Sequence, residues 1–467
     1  MASNSTNLII ITYLSFFSIL FSICVSTTSH HHSSPNNSHR PSTTYKPNLL
    51  VLPVHHDPAT GLPWAYVHKR TPLTQVPLLL DLNGNHMWIN CQAHYTSSTY
   101  QAPLCHSTQC SRATTATTTQ TCHTCVDSTL PRPGCHNNTC ALMSTNPITQ
   151  QIAMSELAQD VLAINAAASN APRLGPMVTV PQFLFSCAPS SLVQKGLPNN
   201  VEGVVGLGHG PISLPNQLAS QFGLQHQFAL CLSRNPTSTG AVLFGDPQKF
   251  FSFNSYNNHN KLDPSRDLVY TPLTISPQGE YYIDISSIRI NRRSIFPVTP
   301  SSSSSPSSSL YAQNGMIGAT LISTTAPYMV LHHTIFETFR QVFAKQFPTQ
   351  GQVNAVGPFG LCYDSKRVNN AKAPIVEMML KVDQSRNEVA WSISGENLMV
   401  QAQPGVTCLG IVDGGTSPKA AIALGTRQLE EKMVVFDLVK SRVGFSSSLL
   451  SRGRSCSDLF GFANKEP

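Results

Sequence analysis

Two widely separated stretches of this 467-residue chain follow one plan. Leu78 to Gly84 reads LLLDLNG, an apolar run closing on a turn, and Val201 to Gly208 reads VEGVVGLG, an apolar run closing on Gly. In the second half, ATLISTT at Ala319–Thr325 and AAIALG at Ala420–Gly425 repeat that order. A strand-and-turn followed later by a Gly-closed strand, met twice, fits a duplicated β unit, and the length allows two units at about 100–200 residues each. The polar, turn-rich stretch Asn254–Arg266 marks the boundary, giving lobes over residues 49–260 and 261–467.

Composition agrees with a β-rich globular class. Only 11% of residues are charged, 41% are hydrophobic, and 34 are Pro, which favours strands and loops over long helices. Short β-prone runs are predicted at Leu49–Val54, Val178–Ser186, Val201–Val205, Phe228–Leu232 and Ala241–Phe244. Two helices stand out. One starts near Ser213, a potential cap, with Pro215 in its first turn and Gly223 at its end; the other spans Thr334–Phe347, with Ile335, Phe339, Val342 and Phe343 on one face.

The first segment has an apolar stretch, Leu8–Val25, followed by small residues, the pattern of a secretory signal over residues 1–26. A polar leader rich in Ser, His, Pro and Asn occupies residues 27–48 and is expected to be disordered. The expected location is therefore extracellular, with no membrane association once the signal is removed. Low-complexity sequence returns in a Ser-rich insert, Pro300–Ser309, expected as a surface loop.

Removal of the signal takes Cys24 and leaves 12 cysteines: Cys91, Cys105, Cys110, Cys122, Cys125, Cys135, Cys140, Cys187, Cys231, Cys362, Cys408 and Cys456. An even number in an exported chain predicts six disulfides, with the pairing open. Cys122-x-x-Cys125 beside His123 raises zinc as an alternative, but export and even count favour disulfides, and no metal is expected. Asn137-Asn138-Thr139 and Asn36-Asn37-Ser38 are glycosylation sequons, of which Asn137 is the candidate site.

The net charge of +7 is spread along the chain, with Lys and Arg against Asp and Glu at 10 to 7 before residue 251 and 20 to 16 after it. Such a surface suits loose association with acidic cell-wall polysaccharide, and 17 His add charge in mildly acidic fluid. Nucleic acid is not an expected partner, because no basic cluster alternates with aromatics. Gly206-x-Gly208-x-Gly210 superficially matches a dinucleotide loop, yet Pro211 follows and no acid occurs until Asp246. No nucleophile elbow, zinc-protease or phosphate-loop motif is present, so no cofactor is expected.

The arrangement that the sequence does resemble is the pepsin-like aspartic proteinase scaffold. A strand ending in Asp81, a Gly-closed strand beneath it, and Phe436-Asp437-Leu438 followed by Arg442-Val443-Gly444-Phe445 near the end carry the likeness over Leu49–Cys456. The resemblance implies an all-β, bilobal, disulfide-rich fold with a few short helices. Catalysis on that scaffold needs two carboxylates sharing a proton, each set in Asp-Thr/Ser-Gly-Ser/Thr. Here Asp81 is followed by Leu82-Asn83-Gly84, and Ser323-Thr324-Thr325-Ala326 falls where the second set belongs, so Ser323 takes the place of the second aspartate. The flap position, Asn146–Ala153, has neither Tyr nor Gly. Both positions are vestigial on this reading, no catalytic residue is expected, and Asp81 becomes a structural carboxylate held by backbone donors.

FSCAPSSLVQKGLPNNVEGVVGLGHGPISLPNQLA, PFGLCYDSKRV and the tail from Cys408 further resemble the inactive plant branch of this family: extracellular dermal glycoproteins, xyloglucan-specific endoglucanase inhibitors and TAXI-type xylanase inhibitors. That resemblance implies inhibition of a microbial endoglucanase or xylanase by occlusion of its cleft, with a xyloglucan-specific enzyme the favoured target. In the family the inserted residue lies just before the final cysteine, where Arg452 and Arg454 precede Cys456 and would face a glycanase carboxylate. The alternatives are an active pepsin-like endopeptidase and a cell-wall protein with a peptide ligand.

Overall fold

A computed structural model of the chain describes residues 46–92, 95–114, 121–125, 131–168, 174–248, 267–295, 319–347, 350–382 and 387–460. The expected signal segment, most of the expected leader, the expected boundary stretch at Asn254–Arg266 and the Ser-rich insert lie outside the described residues.

The duplicated plan is realised as a duplicated topology. In the first half the strand Thr74–Asp81 runs parallel to Gly203–Gly206, against whose other side Trp88–Asn90 pairs antiparallel. In the second half Ala319–Ile322 runs parallel to Ile422–Leu424, and Met329–Leu331 pairs antiparallel on its far side. Each half therefore threads a late strand between the two arms of an early strand-turn-strand unit.

The halves meet in an antiparallel stretch of one sheet that has 14 strands among the described residues. That shared stretch runs in the order Val269–Pro272, Arg442–Phe445, Met433–Asp437, Gln227–Cys231, Gly240–Gly245 and Leu49–His56, so it takes three strands from each half. Period-2 alternation gives it two buried faces. Leu50, Leu52, Phe228, Leu230, Phe244, Val434 and Phe436 point into the main core, with Phe228 stacked on Phe436 at 4.7 Å. Leu49, Val51, Ala229, Leu243 and Val435 point the other way and are covered by Leu449, Cys456 and Phe460 of the tail.

The fold is mostly β with short helices, as the resemblance implies. The expected helices are seen at Leu214–Phe222 and His333–Gln346. Ser213 holds the cap position of the first, but its buried hydroxyl makes no hydrogen bond, so the expected side-chain cap is absent; left-handed Gly223 ends that helix as expected. Of the second helix, Ile335, Phe339 and Phe343 are buried, joined by Phe336, while Val342 is only partly covered. The strand expected at Val201–Val205 forms at Gly203–Gly206, and just before it Glu202 N–H donates to Pro77 O of the neighbouring strand at 2.9 Å.

Six disulfides form: Cys91–Cys187, Cys105–Cys122, Cys110–Cys140, Cys125–Cys135, Cys231–Cys456 and Cys362–Cys408. The two sulfurs of the Cys122-x-x-Cys125 motif are thus consumed in separate bridges. Four bridges hold the cysteine-dense first half, and Cys231–Cys456 ties the tail to the shared sheet.

Candidate functional site

Leu78, Leu79 and Leu80 are fully buried, which drives the Thr74–Asp81 strand through the core and delivers Asp81 at its end. The turn that follows packs directly on the Gly203–Gly206 strand. Leu207 N–H donates to Asp81 O at 2.8 Å and Gly208 N–H to Gly84 O at 2.9 Å. A side chain at Gly206 would press its Cβ to 2.5 Å from Gly84 O, and Cβ atoms at Gly208 and Gly210 would also collide with backbone of the Asn83–Asn85 turn. The three glycines that superficially match a nucleotide loop serve this close approach.

The two halves are stapled at the same point. Thr324 Oγ1 accepts from Leu82 N–H at 2.9 Å and donates to Leu80 O at 2.7 Å. Asn83 Nδ2 donates to Ile322 O at 2.9 Å, while Asn83 Oδ1 accepts from Tyr281 N–H at 3.1 Å. The opposite hydroxyl does not exist, because Leu82 occupies its position and is buried in the core. The hydroxyl contact is therefore one-sided, and Asn83 supplies the polar contacts from the first half.

Asp81 and Ser323 open into one cavity of about 610 Å³. Asp81 is 7% exposed and its Oδ1 accepts from Asn83 N–H at 2.9 Å, the backbone donor that the sequence reading expects. Burial pushes its carboxyl up to about 6, against the opposing pull of that N–H and of the Lys419 charge; Glu280 adds to the rise. Ser323 is 4% exposed, and its Oγ accepts from Thr325 N–H at 3.1 Å and Ala326 N–H at 3.2 Å. A hydroxyl so placed can fasten its own turn but cannot ionise at working pH to share a proton with Asp81.

Among the described residues, the other titratable groups lining the cavity are His86, Glu280 and Lys419. Lys419 Nζ makes a short ion pair with Glu280 Oε1, and Tyr282 OH donates to Glu280 Oε2 at 3.0 Å. His86 bonds Ser144 Oγ at 3.4 Å, and burial lowers its imidazole to about 4, leaving it neutral. The sequence reading missed Glu280 and Lys419, and no local signal marks them: 139 positions separate the pair.

The flap is a hairpin of Thr139–Thr145 and Ile152–Ala167. Its tip is fastened by Asn146, whose Oδ1 accepts from Ile148 and Thr149 N–H and whose Nδ2 donates to Leu192 O at 2.8 Å and Lys195 O at 2.9 Å. Trp88 Nε1 donates to Thr145 O at 3.1 Å from beneath.

Family models for the xylanase inhibitor N-terminal and C-terminal domains match residues 65–246 and 280–447. The chain belongs to the xylanase-inhibitor (TAXI) family of aspartic-proteinase-like proteins. It is 57% identical to Gamma conglutin 1 of Lupinus angustifolius, over 99% of this chain and all of the relative. Among solved structures, conglutin gamma, described as a unique basic 7S globulin from lupine seeds, aligns with a TM-score of 0.79 at 58% identity, covering 90% of this chain and all of that one. A Nicotiana benthamiana protein named Probable aspartic proteinase GIP2 is 37% identical over 89% of this chain and 93% of its own length.

The tail residues expected to act in this TAXI-family chain lie far from Asp81 in the topology. Leu449 and Cys456 cover the outer face of the shared sheet, and the chain between them carries both arginines on the surface. Arg452 is ion-paired with Asp267 at 2.5 Å, whereas Arg454 makes no ion pair among the described residues. Asn137 is exposed, and its Oδ1 accepts from Cys125 N–H at 3.1 Å; the hydroxyl of Thr139 in the same sequon is buried against Glu156 Oε2.

Proposed function

We propose that the protein is a secreted, non-catalytic inhibitor of microbial cell-wall glycoside hydrolases, a xyloglucan-specific endoglucanase first and a xylanase second. The observation that carries this reading is the match of xylanase-inhibitor models to both halves of the chain. The cleft supports a loss of proteolysis: among the described residues lining it, Asp81 shares the cavity with Ser323, and the other carboxylate, Glu280, is ion-paired with Lys419. General acid–base assistance is worth roughly 10²–10⁴-fold, so a lone Asp81 leaves no useful peptidase. Defence in the apoplast, glycosylation at Asn137 and loose retention on acidic wall polysaccharide complete the reading.

Arg454 is the better placed of the two tail arginines, since Arg452 must first leave Asp267. A desolvated Arg in a glycanase cleft would meet the paired carboxylates that perform the cleavage. The test is a panel of fungal xyloglucanases and xylanases assayed with the mature protein. Inhibition of at least one is expected, with Arg454→Ala weakening it more than Arg452→Ala. A panel left at full rate in micromolar protein removes the inhibitor reading.

A second reading is favoured by the high identity to conglutin gamma: a basic seed globulin without inhibitory activity. It predicts the opposite outcome of the same panel.

A further inference from the structure

A second cavity, of about 220 Å³, shares no lining residue with the one over Asp81 and opens on the outer face of the shared sheet. Along that face Gln227 is the neighbour of Ala229 and Asp437 the neighbour of Val435, and the two are cross-strand partners. The outer face, apolar where the tail covers it, turns polar here.

Arg442 is the partner of Asp437 on the next strand, and its guanidinium is fixed from two sides. Nε donates to Asp437 Oδ2 at 3.0 Å, and Cζ lies 3.9 Å from the centroid of the Tyr270 ring. Gly444 makes room for that ring, since a Cβ there would fall 2.7 Å from Tyr270 Cε1. The two Nη groups of Arg442 make no hydrogen bond among the described residues, which leaves a pre-oriented pair of donors at the pocket. Lys440, in the turn before Arg442, lines the same end and makes no ion pair among the described residues.

The opposite end is acidic. Asp246 follows the Gly240–Gly245 strand; its Oδ1 accepts from Gln248 N–H at 3.0 Å, and it has no cationic partner among the described residues. Three strand intervals separate it from Arg442, about 14 Å of backbone spacing, and the amides of Gln225 and Gln227 come from the strand between. Phosphate or sulfate would satisfy the cations but meet the carboxylates of Asp437 and Asp246. An α-amino acid carries both charges on one carbon and cannot address both ends. A neutral sugar leaves the cations unmatched. A sugar acid matches the whole lining, with a carboxylate for the guanidinium and hydroxyls for the amides and for Asp246, which as an ionised carboxylate only accepts.

We propose that this pocket binds one uronic acid unit of an acidic polysaccharide, its carboxylate on Arg442 and Lys440 and its ring hydroxyls on Gln227 and Asp246. The proposal rests on the acidic-polysaccharide part of the proposed function, which it turns from loose attraction into a site, and it does not depend on glycanase inhibition.

The probe is trigalacturonate, titrated calorimetrically into the mature protein beside its trimethyl ester and beside tricarballylate, which has three carboxylates and no hydroxyl. The sugar acid is expected to bind about tenfold tighter than either control. Lys440→Gln, an exposed change, should weaken it several-fold, and Arg442→Lys, which keeps a cation beside Asp437 but loses the fork, by about tenfold. Asp246→Ala separates a site from diffuse charge: removing an acid strengthens any diffuse attraction for a polyanion, whereas losing a hydroxyl acceptor weakens binding, by about fivefold. A parallel titration of 4-O-methylglucuronosyl-xylobiose tells a glucuronoxylan source from a pectic one, and binding of either acid above its own methyl ester supports the proposal. Binding of neither acid, equal affinity for acid and ester, equal affinity for tricarballylate, or tighter binding by Asp246→Ala overturns it. The last two outcomes would leave diffuse attraction to acidic polysaccharide standing, and inhibition assayed on xyloglucan, a neutral polymer, is a separate measurement.

Discussion

The turn after Asp81 and the turn after Ser323 occupy equivalent places in the two halves, yet they are held differently. The Ser323 turn is self-sufficient: its hydroxyl takes two N–H groups of its own turn, and Thr324 reaches across to both the donor and the acceptor of the opposite strand. The Asp81 turn reaches across only with Asn83 and fills its remaining contact with Leu82, a core side chain. The backbone path is thus shared by both halves, while the crossing polar contacts are made by a hydroxyl, Thr324, on one side and by an amide, Asn83, on the other. A topology can be kept by apolar packing and close backbone contact even where the polar groups at equivalent positions differ.

Thr324→Val should break this comparison most severely. It leaves Leu82 N–H and Leu80 O buried without partners, and a loss of about 2–4 kcal/mol is expected in denaturant unfolding. Near-neutral behaviour would mean that the halves are held without the staple.

Ser323→Asp should restore formal symmetry at a cost. A second carboxylate facing Asp81 gives like charges in a buried site, so a loss of about 2 kcal/mol is expected at neutral pH, recovering in acid. Proteolysis of a denatured substrate at acid pH should remain negligible, because Leu82 and the Asn146-fastened flap still depart from the active pattern; pepstatin-sensitive cleavage would show that one residue alone silences the scaffold.

Asp81→Asn should be the mildest and should stabilise. A carboxyl raised to about 6 in the folded state contributes stability that is present below its unfolded value near 3.8 and is lost as pH rises through 6. The variant removes that loss, so a gain on the order of 1–2 kcal/mol is expected above pH 7 and none near pH 3, read from unfolding curves at both. A stabilisation that persists in acid would assign the effect to packing instead.

Much of the molecule was legible in the chain because its signals are local or repeat. The apolar run into Asp81, the Gly-closed strand at 203–206, the Phe436 and Arg442 strand pair and the Pro215–Gly223 helix each declare themselves within a few residues. The even cysteine count predicted six bridges, but not that Cys122 and Cys125 part company. Arg452 looked as available as Arg454 until Asp267, far away in the chain, was brought against it.

Composition, short β-prone runs and paired motifs therefore determined the class, the duplication and the position of Asp81, since each rests on neighbours in the chain. Tertiary structure alone decided what surrounds that carboxylate. Thr324 meets Leu80 across 244 positions and Lys419 meets Glu280 across 139, and only folding brings such groups together around Asp81.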